Sequence, residues 1–212
     1  MYAGLGAIRL SPTRRPEALN ETVLVDRCRR NDAEAFARLV DAYQNRIYGF
    51  VRRMVRDPED AADISQEVFV RAFSNFSRFD GRSSLRTWLF RIAYNLCVDR
   101  ARRNDRAPME QRLDTALDDD EPMELPDSRW QPDEIVLSGE FRDVIEEAIG
   151  SMSEKLRTVL LLHDREDLPY DEIAATVGVP VGTVKSRLFL ARAHLQKAVS
   201  PYLSESPEAS HD

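Results

Sequence analysis

Cysteine, glycine and long apolar runs are all scarce in this chain. Its 212 residues include two cysteines, Cys28 and Cys97, and eight glycines. No apolar run approaches the ~18 residues that a membrane span needs, and residues 1–20 lack the basic start and apolar stretch of a signal peptide. We therefore expect a cytoplasmic protein with no membrane insertion. Without a CxxC pair, the cysteines argue against a metal site or a disulfide framework, and we expect free thiols in a reducing compartment.

The formal net charge of −7 hides an uneven distribution of charge along the chain. Residues 22–103 contain 16 Arg and 11 acidic side chains, which leaves +5. Residues 104–134 contain 3 Arg and 11 acidic side chains, and residues 135–203 contain 8 basic and 10 acidic ones. A polyanionic partner responds to the local field and not to the total charge. The first part of the chain is therefore the candidate for contact with a nucleic acid.

Apolar residues recur at helical spacing in the first part of the chain. One amphipathic stretch runs from Glu34 to Met54, with Phe36, Leu39, Val40, Tyr43, Ile47, Phe50 and Val51 on its core-facing side. A second begins at Asp57-Pro58, where an N-cap residue precedes a proline at the first helical position. A third follows Ser83 or Ser84 and ends in a run of arginines. The pattern predicts three helices that pack on one another.

The rest of the chain completes an all-α prediction, because no segment alternates with the period of a strand. Helices are expected from near residue 133 to 150 and from Ser153 to Asp164, where Ser153 is the cap. Residues 104–133 have four prolines, the acidic run 118–121 and no periodicity, which is typical of a linker. We predict two small helical domains, residues 21–103 and 134–201, joined by a flexible acidic linker of residues 104–133. Residues 1–20 are a predicted disordered tail, and residues 202–212 a short polar one.

The segment YDEIAATVGVPVGTVKSRLFLARAHLQ, residues 170–196, predicts a helix-turn-helix. Gly178 can adopt the left-handed conformation that ends the first helix, and Val179-Pro180 cannot continue it. Two helices joined by a tight turn of this kind can place the second one in the major groove of DNA. Its inward residues would be Val181, Val184, Leu188, Ala191 and Leu195. The outward candidates for DNA contact are Thr183, Lys185, Ser186 and Arg187, with Leu190 at the edge. An ordinary helical hairpin with a solvated face remains the alternative.

Three segments resemble the sigma-70 family of bacterial transcription initiation factors. DAADISQEVFVRAFSNFSRF and LRTWLFRIAYNLCVDRARR are similar to its region 2, and residues 152–198 are similar to its region 4. The resemblance covers roughly residues 22–103 and 135–200. Two regions in this order, separated only by a linker, are typical of the extracytoplasmic-function (ECF, group 4) sigma factors. The resemblance implies a factor that binds core RNA polymerase, recognises a −35 duplex, and captures and melts the −10 strand. It also implies a stress-responsive role under an anti-sigma factor.

The resemblance assigns a pocket for a flipped base of the −10 strand to Phe79 and Asn95, with Arg91 nearby. Stacking of a base on an aromatic ring contributes roughly 1–3 kcal/mol, which can offset the few kcal/mol that extrusion of the base costs. Phe79 lies between charged neighbours beside Gly81, so we expect an exposed ring, whereas Trp88 shares an apolar stripe and is expected in the core. A solvated helix position is the alternative for Asn95. Phosphates would be met by Arg100, Arg102 and Arg103.

The resemblance also assigns polymerase binding to the polar face Asp63, Gln66 and Glu67. In the family this face docks on a coiled coil of the largest polymerase subunit, and region 4 docks on the flap. Carboxylates can pair with arginine on the partner beside an apolar contact. The alternative is a solvated helix face. No catalytic set, cofactor or metal site is predicted, so we expect a protein that is not an enzyme.

The predicted linker is long enough for its domains to separate widely. Thirty residues reach up to ~100 Å when extended and about 30 Å as a coil, and DNA contacts two helical turns apart lie roughly 70 Å from each other. The stretch from Asp118 to Glu124 either stands in for RNA in a polymerase channel, as the family implies, or is a plain tether.

Two features depart from the family pattern, and two other functions remain open. Many relatives carry arginine at the positions of Leu190 and Lys185, so the −35 preference cannot be copied from them. One rival function is a free-standing dimeric activator or repressor, which would bind a palindromic duplex alone. The other is a protein-interaction adaptor that sequesters a regulator.

Overall fold

The computed structural model describes residues 21–104 and 139–204. The predicted tails, nearly all of the predicted linker and the stretch from Asp118 to Glu124 lie outside these residues. The described residues form helices and contain no strand, which confirms the all-α prediction. The helices are α1 (Glu21–Arg29), α2 (Ala33–Met54), α3 (Pro58–Asn75), α4 (Leu85–Asn104), α5 (Gly139–Ser151), α6 (Glu154–Leu160), α7 (Tyr170–Val177) and α8 (Val181–Ser204).

Side-chain caps begin four of these helices, and the caps of α3, α4 and α6 are at the predicted residues. Asp32 accepts a hydrogen bond from the Ala35 backbone N–H at 3.1 Å and starts α2. The Asp57 carboxylate starts α3, whose first residue is Pro58. Ser84 and Ser153 accept from the N–H groups of the third residues of α4 and α6, Thr87 and Leu156. Each cap satisfies a donor that the helix itself leaves unpaired.

The first domain packs α2, α3 and α4 around a core of aliphatic and aromatic side chains. The rings of Phe50 on α2 and Phe90 on α4 meet edge to face, with 5.4 Å between their centroids. A short 3-10 turn, Phe76–Arg78, follows α3 and brings the fully buried Phe76 under Trp88. The start of α4 is thereby fixed against α3, which sets the relative position of the two helices that carry predicted binding residues.

The second domain packs α5, α6 and α7 around the long helix α8. A π-helical turn, Leu161–Arg165, continues α6 and carries Asp164 into the interior. Asp164 accepts hydrogen bonds from Arg192 of α8 at 2.6 and 3.1 Å. This pair fixes α8 relative to α6.

The two domains also contact each other, which nothing in the sequence predicts. Arg46 of α2 forms a buried ion pair with Glu166, which follows the π-helical turn of the second domain. The helices α4 and α7 pack side by side. Among the described residues no single helix is long and apolar enough to cross a membrane, and α7 and α8 pass that test only as a pair bent by 100°.

Candidate nucleic-acid interface

The predicted polymerase-binding residues lie on one exposed stripe of α3. Asp63 and Gln66 are exposed, and Glu67 is half-buried. Glu67 accepts a hydrogen bond from Arg71 one turn later, at 2.8 Å. An exposed pair of this kind is weak, so a partner's arginine can compete for the carboxylate.

Two exposed apolar residues extend this stripe, and the sequence analysis missed both as surface residues. Val70 is 59% exposed and Phe73 is 47% exposed. They follow Gln66 at steps of four and three, which keeps them on the same side of the helix. The Phe73 ring meets that of Phe36 edge to face, with 5.0 Å between centroids, and remains partly exposed. An exposed apolar pair beside carboxylates is typical of a protein-binding surface.

A groove between α3 and α4 connects this stripe to the predicted phosphate-binding arginines. Asp63 and Glu67 line the α3 wall, and Arg100 and Arg103 line the α4 wall. Arg100 donates to Asp60 at 2.5 Å and is half-buried, whereas Arg102 and Arg103 are exposed. The end of α4 therefore offers two exposed cations and a third that already has an anionic partner.

The expectation that the Phe79 ring is exposed is wrong. Phe79 is only 5% exposed, and its ring lies 5.1 Å from Trp88 and 5.9 Å from Phe76, measured between centroids. Arg29 of α1 donates two hydrogen bonds to the Phe79 carbonyl oxygen, at 2.7 and 3.1 Å, and lies over its ring. Arg29 is 50 residues away in the chain, so the charged neighbours of Phe79 in the sequence do not decide the position of its ring. Trp88, expected in the core, is half-buried against it.

The predicted partners of Phe79 occupy the outer side of α4. Asn95 is exposed. Arg91 is half-buried, and its Nε atom is buried with no hydrogen-bond partner among the described residues. Tyr94 lies on the same helix, where burial and the charge of Glu154 raise the pKa of its phenol, and Arg187 and Arg102 act in the opposite direction. The second domain reaches α4 through α7, which packs on it.

The helix-turn-helix has the predicted geometry. Helix α7 ends at Gly178, which has the left-handed backbone angles φ 73° and ψ 36° that glycine adopts without strain. The apolar residues predicted to face inward on α8 are all buried except one: Val184, Leu188, Ala191 and Leu195. Val181 is 39% exposed because the first turn of α8 extends beyond the core.

The predicted DNA-contact residues lie together at the start of α8 but differ in exposure. Lys185 is exposed, whereas Thr183, Ser186, Arg187 and Leu190 are half-buried. The Ser186 hydroxyl donates to the Thr183 carbonyl oxygen at 3.1 Å.

The cation of Lys185 lies over an aromatic stack that the sequence analysis did not single out. Its Nζ atom is 5.8 Å from the centre of the Tyr170 ring, which stacks on His163 with 4.7 Å between centroids. A weak cation–π contact therefore orients the exposed basic group in the first turns of α8.

Comparison with known proteins agrees with this architecture. The family model for Sigma-70 region 2 matches residues 39–107, and that for Sigma-70, region 4 matches residues 142–195. The chain is 37% identical to the RNA polymerase sigma-H factor of Pseudomonas aeruginosa, over 86% of this chain and 95% of that protein. It is 35% identical to the ECF RNA polymerase sigma-E factor of Escherichia coli K12, over 88% of this chain and 98% of that protein.

Two solved structures share the fold. One is the sigma factor RpoE in complex with the anti-sigma factor NepR from Bartonella quintana. Its TM-score is 0.60 at 22% identity, over 79% of this chain and 98% of that one. The other is CnrH in complex with the cytosolic domain of CnrY. Its TM-score is 0.58 at 23% identity, over 88% of this chain and 99% of that one.

The fold and its surfaces define a two-domain helical transcription factor that ends in a helix-turn-helix. Both sigma-70 regions are matched, and the chain covers nearly the whole length of relatives that are 35% and 37% identical to it. The chain belongs to the sigma-70 family, in its ECF group, and is an RNA polymerase sigma factor.

Proposed function

We propose that this sigma factor docks on core polymerase through the α3 stripe, holds the unpaired −10 strand with α4 and reads the −35 duplex with the start of α8. The observation that carries the proposal is the groove between α3 and α4. Its α3 wall carries Asp63 and Glu67 of the stripe together with Arg71, and its α4 wall carries Arg100 and Arg103 together with Asp99. Docking of the first wall on polymerase would therefore fix the second beside DNA. Domain limits of 21–103 and 134–201 follow the same division.

The α3 stripe suits a partner that presents arginine beside an apolar patch. Asp63 and Gln66 supply exposed acceptors, and Val70 and Phe73 supply apolar area that water leaves on binding. A coiled coil of the largest polymerase subunit is the partner that the family implies, and the flap is its counterpart for the second domain. The chain itself carries out no reaction in this proposal, because the nucleotide chemistry belongs to the polymerase.

The α4 surface suits a single strand of DNA. Arg102 and Arg103 offer cations to its phosphates, and the exposed amide of Asn95 can donate to and accept from a base edge. Arg91 and Arg100 are the further candidates on this helix. Phe79 stays in the proposal as part of the pocket wall, behind the half-buried Trp88, and not as an exposed platform.

The second domain suits duplex DNA. Lys185 projects from the first turns of α8, with Thr183, Ser186 and Arg187 beside it. Lysine offers a point charge and not the planar fork of arginine, and Leu190 offers no hydrogen bond, so base discrimination by this helix would depend chiefly on Arg187.

We further propose that the protein acts in the cytoplasm and is held inactive by an anti-sigma factor until a stress signal arrives. Support comes from two solved structures of similar fold, RpoE in complex with the anti-sigma factor NepR and CnrH in complex with the cytosolic domain of CnrY.

A matched pair of substitutions tests the polymerase-binding surface. Val70→Asp places a charge in the exposed stripe, and Val23→Asp places the same charge at a valine of α1 that is similarly exposed, 52% against 59%. Binding to purified core polymerase is measured with each full-length variant. We expect Val70→Asp to weaken binding at least about tenfold, which is about 1.4 kcal/mol, and Val23→Asp to change it less than twofold.

Runoff transcription on a library of random promoters completes the test. The wild-type chain with core polymerase is expected to select a subset of templates, and Val70→Asp to lose initiation on all of them. A chain that leaves core polymerase unbound, and initiation unchanged on every template, would contradict the proposal. A dimer that binds a palindromic duplex without polymerase would favour a repressor or activator instead.

A further inference from the structure

The interface between the two domains joins arginines of the first domain to carboxylates of the second. Arg46 of α2 approaches one oxygen of Glu166 with two nitrogen atoms, at 2.6 and 2.8 Å. The side chains of the pair are 8% and 0% exposed. Arg86 of α4 donates to the backbone carbonyl of the same glutamate at 3.0 Å. Glu166 is therefore bound by arginines from two helices of the first domain, α2 and α4.

Two further contacts extend this interface along α4 and α2. Glu172, near the start of α7, accepts hydrogen bonds from Ser84 and Thr87 at the start of α4. At the end of α2, Arg53 forms an ion pair with Glu146 of α5. Arg53, like Arg46, thus pairs with a carboxylate of the second domain.

This arrangement sets the helix-turn-helix against the first domain, because α7 packs on α4, the helix proposed to hold the −10 strand. Of the four residues proposed to touch the −35 duplex, only Lys185 is exposed. DNA reading requires these side chains to reach base edges, and Thr183, Ser186 and Arg187 are half-buried in this arrangement.

The arrangement is also too compact to span a promoter. Two DNA contacts two helical turns apart are separated by roughly 70 Å, whereas Arg46 and Glu166 of the two domains are in direct contact. The same chain must therefore adopt a second arrangement in which this pair is broken.

We infer that the free chain rests in a closed form in which Glu166, held by Arg46, latches the second domain over α4, and that this latch opens before transcription begins. The latch concerns the free chain alone. Only its role in initiation rests on the proposed function.

The bonding of the latch is incomplete, which suits a contact that must open. The second carboxylate oxygen of Glu166, Oε1, is buried with no hydrogen-bond partner in the described part of the chain, and the same holds for Nε of Arg86. A buried polar atom without a partner disfavours the state that buries it. Opening returns these atoms to water, so part of the free energy lost with the ion pair is recovered.

Distance measurements on the free chain test the latch. Cysteines introduced at Glu59 and Lys197, both exposed and on different domains, carry a pair of spin labels. The native thiols are buried, and burial raises the pKa of Cys97 to about 12, so labelling selects the new sites. We expect a single narrow distribution of label distances in the otherwise wild-type chain. Arg46→Ala is expected to give a broader distribution shifted to longer distances.

Arg38→Ala is the matched control, because Arg38 lies on the same helix in an exposed ion pair with Glu34. It should leave the narrow distribution unchanged. Glu166→Lys, which sets a cation against Arg46 and Arg86, gives a second way to open the latch and should broaden the distances as Arg46→Ala does. A wild-type distribution as broad as that of Arg46→Ala, or narrow distributions in both latch variants with helicity intact, would overturn the inference.

Initiation by the same chains with core polymerase separates the latch from the proposed function. If closure removes about nine-tenths of the free chain from binding, opening it lowers the half-saturating concentration up to about tenfold. Arg46→Ala should therefore reach half-maximal initiation at a lower concentration than wild type, and Arg38→Ala should not. Broadened distances with no initiation by any chain would count against the proposed function and leave the latch standing. Broadened distances with unchanged half-saturation would overturn its role in initiation.

Discussion

Two buried carboxylates, Asp164 and Glu166, lie two residues apart and are bonded in different ways. Asp164 faces the interior of its own domain, where Arg192 donates to both of its oxygens and His163 lies 2.8 Å from one of them. Glu166 faces the other domain, where Arg46 reaches only one of its oxygens. A complete set of partners is typical of a contact that stays formed, and an incomplete set fits a contact that is broken in use.

The pKa values of these two carboxyl groups are shifted in opposite directions, in line with their bonding. Burial disfavours the charged form of Asp164, but hydrogen bonds from His163 and Arg192 outweigh burial and hold its pKa below the usual range. Burial raises the pKa of Glu166, and the charge of Arg46 offsets this only in part. Charge is therefore favoured at the contact within the domain and disfavoured at the contact between domains.

The largest effect, a loss of stability, is expected at Asp164, both of whose oxygens accept hydrogen bonds. Asp164→Asn removes the carboxylate charge that faces the Arg192 guanidinium, which is 15% exposed. Breaking a buried ion pair in this way costs about 3 kcal/mol or more. Chemical denaturation of the full chain should show this loss in the transition of the second domain. Asp143→Asn, on an exposed position of α5, should change stability by less than about 0.5 kcal/mol. Equal effects of the two substitutions would contradict the comparison.

A smaller effect is expected on the closure of the two domains when Arg46 and Glu166 are both replaced by apolar residues. Its sign is opposite to that of Arg46→Ala. Replacement of a buried ion pair by apolar side chains is often neutral or stabilising by roughly 1–4 kcal/mol. The double variant Arg46→Met with Glu166→Met should therefore keep the label distances narrow and raise the concentration needed for half-maximal initiation. Broadening of the distances in this variant would mean that the charges themselves, and not burial, hold the domains together.

The smallest effect is a dependence of closure on pH. Because the pKa of Glu166 is raised in the closed form, that form binds a proton more tightly than the open one. Closure is then favoured as pH falls toward the raised pKa and weakened as pH rises through it. The charged groups around Glu166 are Arg46, Arg86 and Arg165. The proportion of short label distances should increase as pH falls toward the raised pKa of Glu166, and Glu166→Gln should abolish this trend.

Local signals in the sequence predict the helices and the helix-turn-helix well. Caps such as Asp57 and Ser153 act within three residues, and Gly178 needs only its own backbone angle to end α7. The start of the second domain was predicted near residue 133, and the described part of α5 begins at Gly139.

Contacts between distant residues account for what the sequence could not predict. Arg29 holds Phe79 from 50 residues away, and Arg46 reaches Glu166 across 120. Arg46 lies on the apolar side of an amphipathic helix, but no local signal identifies Glu166 as its partner. Phe73 fits the apolar pattern of α3 and is exposed because no neighbouring helix covers it fully.

The most direct test of the account compares one chain in two states. With spin labels at positions 59 and 197, the distance between the domains is measured in the free protein and again in complex with core polymerase and promoter DNA. We predict a short, narrow distribution for the free protein and a lengthening by several tens of ångströms in the complex, as contacts two helical turns apart on DNA require. An unchanged short distance in an initiating complex would contradict both the latch and the bridging of polymerase and promoter by two separated domains.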